Sequence, residues 1–65
     1  MSWKPVTRFD QLKTGDKVRF KARPEITGLY RFKAHEFALV IADKDLPNGR
    51  PRDVLCKLKE LEVLR

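Results

Sequence analysis

The chain has 65 residues, with 15 Lys and Arg against 9 Asp and Glu, for a formal net charge of +6. A chain this short buries only about 60% of the surface its unfolded form exposes, which leaves room for one core and predicts a single domain over 1–65. The lone cysteine, Cys56, excludes an intrachain disulfide, and with the lone His35 it makes a poor metal site, so neither metal nor cofactor is expected.

A hydrophobic fraction of 42%, including four Phe, one Trp and one Tyr, is enough for a packed globule and argues against a disordered basic tail. The excess of positive charge favours polyanions: nucleic acid, an anionic surface or an acidic protein. Met1 to Pro5 lacks the apolar run of a secretory signal, and no stretch is long enough to span a bilayer. The expected setting is therefore cytoplasmic, with no membrane partner.

Pro5 and its neighbours read as an extended lead-in. Thr7 to Leu12 can form one helical turn, with Thr7 as its cap and Phe9 and Leu12, three apart, on one buried face. Lys13-Thr14-Gly15-Asp16 breaks that turn. From about Lys17 to Ala22 cationic and apolar side chains alternate, so a strand would carry Lys17, Arg19 and Lys21 on one face and bury Val18 and Phe20 on the other. Arg23 to Gly28 reads as an exposed loop, because Pro24 cannot donate to a ladder and Gly28 tolerates positive φ.

Leu29 to Lys33 alternates again, which puts Tyr30 and Phe32 on one face and Leu29, Arg31 and Lys33 on the other. Phe37 to Ala42 is a short apolar run rich in β-branched residues and is expected to be the central strand. Asp43 to Pro51, with two prolines around Asn48-Gly49, is the strongest loop and should link a hairpin. Its return strand runs from Arg52 to Leu58, with Val54, Cys56 and Leu58 alternating against Asp53, Leu55 and Lys57. A short turn and a final strand complete the chain.

Five short strands with one helical turn predict a mainly β fold: a small curled antiparallel sheet or barrel. The run Phe9-Asp10-Gln11-Leu12-Lys13-Thr14-Gly15-Asp16-Lys17-Val18-Arg19-Phe20 resembles the opening of SH3-like barrels, including KOW and Tudor-type modules. A KOW-type module would imply binding to RNA or to the transcription and translation machinery; the glycine expected in the loop after its first strand appears here only as Gly28. A Tudor-type module would imply an aromatic cage, and Tyr30, Phe32 and Trp3 do not assemble one from sequence.

Catalytic residues are not expected. Nucleophilic catalysis needs Ser, Cys or Thr beside an oriented base, and Cys56 reads as an apolar-face core residue while His35-Glu36 reads as a surface turn. Asp43 with Asp45, and Glu60 with Glu62, lack the glycine and further oxygens of a cation loop and read as solvated charge. The cations are the better candidates. If the first two strands pair, Lys17, Arg19 and Lys21 lie beside Arg31 and Lys33, and the repulsion among like charges would be relieved by an anion. Arg23 beside Pro24, with Arg50 and Arg52 around Pro51, would extend this surface from loops. The expected function is therefore nonenzymatic binding of nucleic acid, RNA or DNA, or of a nucleoprotein. The alternative is a protein-interaction module that takes a peptide or a second copy through a groove or open edge near Phe37 to Ala42.

Overall fold

A computed structural model describes residues 1–65, with Asn48 described by its backbone alone. Six strands form one antiparallel sheet: β1 (Trp3–Pro5), β2 (Lys17–Phe20), β3 (Thr27–Ala34), β4 (Phe37–Ala42), β5 (Asp53–Cys56) and β6 (Leu61–Leu64). Their spatial order is β1-β6-β2-β3-β4-β5. The mainly β, antiparallel expectation holds, but the sheet does not close into a barrel, because β1 and β5 end it and do not pair with each other.

Six strands replace the expected five because the lead-in does more than extend. Trp3, Lys4 and Pro5 pair with Leu64, Val63 and Glu62, and Pro5 is tolerated there because β1 is an edge. The helical turn is a 3-10 turn over Phe9–Gln11. Thr7 does not cap it. The Gln11 side chain reaches back instead, its Oε1 accepting from the backbone N–H groups of Thr7 (2.8 Å) and Arg8 (3.1 Å). Gly15 then takes φ +95°, a region open to glycine at no steric cost, and its N–H donates to Tyr30 C=O.

The alternation read for β2 is correct, although the strand stops at Phe20. Val18 is fully buried opposite Gly28 on one side and Val63 on the other. The same inward face carries Tyr30, Ala38, Val40, Cys56 and Leu61, and Val6 and Leu12 join this core from the segments before β2. Phe9, Phe20, Val54 and Leu58 pack around it. The Phe37–Ala42 run is an interior strand, paired with β3 and β5. Both of its edges are paired, so it does not provide the open edge expected near Phe37 to Ala42.

Two readings in the middle of the chain are overturned. Gly28 is not part of a loop: β3 begins at Thr27, and Gly28 sits buried between Val18 and Ala42. Phe32 does not share a face with Tyr30. The β3–β4 register runs Tyr30 opposite Val40 and then Phe32 opposite Leu39, a bulge that takes up Arg31 and reverses the parity of everything after it. Tyr30 stays in the core, and burial pushes its hydroxyl pKa up. Phe32 emerges on the outer face, 54% exposed.

The turn between β3 and β4 holds His35 at φ +56°, exposed, as a surface turn requires. Pro47–Gly49 forms a second 3-10 turn inside the β4–β5 connection, and Leu58–Glu60 a third before β6. Among the described residues, no helix is long and apolar enough to cross a membrane.

Candidate binding surface

On the outer face of the sheet, the expected cation band is not assembled. Lys17 lies opposite Leu29 and Arg19 opposite Thr27, so neither meets a cation across the β2–β3 pair. Each is instead neutralised within the chain. The Lys17 ammonium donates to Asp43 Oδ2, which also accepts from the Thr27 hydroxyl at 2.6 Å. These two donors hold the Asp43 carboxyl below the usual carboxylate range. The stabilisation from this site is accordingly present above the ordinary aspartate pKa and is lost as pH falls through the lowered one. Arg19 Nε donates to Glu62 Oε1 at 2.8 Å, and its guanidinium stacks 4.7 Å from the Trp3 ring centroid.

Lys21 lies beyond the end of β2, exposed, with its N–H donating to Glu60 C=O. The bulge separates Arg31 and Lys33 from the others. Arg31 is exposed at the bulge itself, and Lys33, opposite Ala38, turns to the core side, where its ammonium sits 5.0 Å from the Phe9 ring centroid. Arg50 and Arg52 are exposed in the approach to β5. Among the described residues, none of Lys21, Arg31, Lys33, Arg50 and Arg52 forms an ion pair.

Sequence reasoning missed the apolar character of this outer face. Leu29 faces Ile41, and Phe32, Leu39 and Leu55 form one row across β3, β4 and β5. Apart from Met1, every exposed large hydrophobic side chain lies here: Leu29, Phe32 and Leu55, the last 58% exposed. The signal for Leu55 was present in the alternation of the return strand. Phe32 could not be placed without the bulge, since one extra residue moves a strand's later side chains to the other face.

Cys56 behaves as the core residue its alternation predicts. Its thiol is buried against Ala38 C=O, and burial, helped by the Glu60 charge, pushes its pKa up to about 12. An unfolded thiol ionises near about 8.5, so stability tied to this group is full below that value and is lost as pH rises towards the folded one. Iodoacetamide at mildly alkaline pH should therefore leave Cys56 unmodified in the folded chain and label it rapidly in urea. Labelling at similar rates in both states, followed by mass spectrometry, would contradict this burial. Among the described residues, no three His, Cys, Asp or Glu side chains gather as a metal set.

Comparison with protein-family models, curated proteins and solved structures finds no match to this chain.

Proposed function

We propose that this chain is a nucleic-acid-binding module whose contact surface is the outer face around the β3 bulge, and that single strands are its preferred form. The observation that carries this reading is the Phe32 ring exposed on the outer face, with Arg31, a cation free of ion pairs among the described residues, exposed at the bulge beside it. Unpaired bases stack on exposed rings while nearby cations meet the phosphates, and each stacked base contributes about 1–3 kcal/mol. Leu39 and Leu55, beside Phe32, widen the apolar platform. Lys17 and Arg19 are left out because Asp43 and Glu62 already meet their charges.

The fold is read as an SH3-like sheet that stops short of closure. Support comes from the 3-10 turn followed by Gly15-Asp16 at the start of β2, and from the run of antiparallel neighbours β6-β2-β3-β4-β5.

The test is fluorescence anisotropy with labelled twelve-nucleotide oligo(dT) and oligo(U), beside a duplex of the same length. Binding should weaken with salt by a log-log slope of about −0.7 for each phosphate neutralised. Phe32→Ala should weaken single-strand binding about 5- to 160-fold, the equivalent of one stacked base. Lys17→Gln should change it little. A flat salt response, or full affinity in Phe32→Ala, would remove this reading.

A further inference from the structure

The last strand of the sheet has one side without a neighbour, and its backbone pattern shows which groups are left over. The Ala42 N–H donates to Arg52 C=O at 2.9 Å, and the register continues through Val40–Val54 to Ala38–Cys56. Antiparallel pairs alternate between bonded and non-bonded, so Arg52, Val54 and Cys56 turn their N–H and C=O groups to β4. Asp53 and Leu55 turn theirs away from it. Among the described residues, no backbone hydrogen bond from a loop reaches either one. The strand carries neither the proline nor the lysine with which natural edges are blunted.

Beside this edge the sheet leaves a cleft of about 410 Å³. Phe20, Ile26, Leu46 and Val54 give it apolar walls, and Arg23 and Arg50, 27 residues apart in sequence, both line it. Neither guanidinium belongs to an ion pair among the described residues. Among the described residues lining the cleft, Asp53 is the one carboxylate, and strand alternation sets it on the outer face with Leu55 while Val54 faces inward. Glu25 and Asp45 line the neighbouring hollow instead.

We propose that this cleft and edge receive an extended acidic segment of a protein partner, which adds to β5 as a seventh strand. Its main chain meets the free N–H and C=O groups of Asp53 and Leu55, one apolar side chain fills the space between Phe20 and Val54, and its carboxylates reach Arg23 and Arg50. The chemistry follows from the surface. An open edge calls for a single extended chain, a space of this volume takes side chains and not a folded domain, and two unpaired guanidiniums select carboxylates. The site borders the Phe32 row at Leu55 but leaves out Phe32 itself, and it does not depend on the nucleic-acid reading.

The probe is an acetylated, amidated octapeptide of alternating Glu and Leu, with an octapeptide of alternating Lys and Leu as control, titrated into the ¹⁵N-labelled full chain. Saturable binding of the acidic peptide, with slowed hydrogen exchange at the Asp53 and Leu55 amides, is the expected result. Leu55→Pro removes one outward N–H at an edge position where proline is tolerated, and should weaken binding at least tenfold while the Val54 and Cys56 amides stay protected. The double variant Arg23→Glu with Arg50→Glu should do the same without altering the strand, which keeps the test decisive if the proline variant fails to fold. Phe32→Ala should bind the peptide normally. The proposal is overturned if the acidic peptide does not bind, if the lysine peptide binds as well, if the charge-reversed variant keeps its affinity, or if protection at Leu55 arises without peptide through pairing of two copies.

Discussion

Leu61→Ala is expected to leave most of the chain unfolded at room temperature. Leu61 is fully buried and is among the largest side chains enclosed by the core. It lies opposite Phe20 on β6, and β6 in turn holds both β1 and β2, so its side chain fills the core where the two ends of the chain meet. Truncating a buried leucine costs about 2–5 kcal/mol, through lost transfer energy and the cavity left behind. The core of a domain this small rarely supplies more than about 3–5 kcal/mol, so the loss is comparable to the whole. Urea titration followed by circular dichroism would measure it. Leu61→Met conserves volume and should cost less than about 1.5 kcal/mol, which separates a packing effect from intolerance of any change. A loss below about 1 kcal/mol for the alanine variant would contradict the packing described, given the range for buried leucines.

Gly28→Ala is expected to be comparably damaging, for a different reason. A Cβ built on Gly28 would stand 3.0 Å from both Ala42 Cα and Ile41 C, with Ile41 O closer still. These are backbone atoms of β4, so no side-chain rotation relieves the clash; β3 must move away from β4. Gly28 also pairs with Val18, so the displacement passes into β2. Its φ lies outside the positive range, and close approach, not backbone freedom, is what demands glycine here. Alanine at Gly15 or Gly49 meets no atom within 4 Å, and its cost there comes from φ +95° or +67° alone. Loss of amide protection along β3 and β4 in Gly28→Ala, and not in Gly15→Ala, would distinguish the two causes. Native-like protection in Gly28→Ala would show that the strands separate without cost.

The two variants mark how differently the core and the sheet surface are written into the chain. Val18 and Phe20 alternate with Lys17 and Arg19, and period two is a local property of the strand, so their inward direction is legible in the residues alone. Cys56 among Val54 and Leu58, and the apolar run Phe37 to Ala42, are legible for the same reason. What the charges do is not. Asp43 reaches Lys17 across 26 positions and Glu62 reaches Arg19 across 43. Neither pairing has a local signature, and each turns a candidate contact for an external anion into an internal ion pair.

By itself the sequence determined a small, basic, mainly antiparallel β chain, a core drawn from alternating apolar residues, a buried thiol and the turn at Gly15, because all of these follow from periodicity, composition and backbone preference within a few residues. Only the tertiary structure decided the bulge that takes up Arg31, the exposure of Phe32, the place of Gly28 against β4 and the free edge of β5. Each of those depends on which strand lies beside which and in what register, and register is settled by packing between segments far apart in the chain.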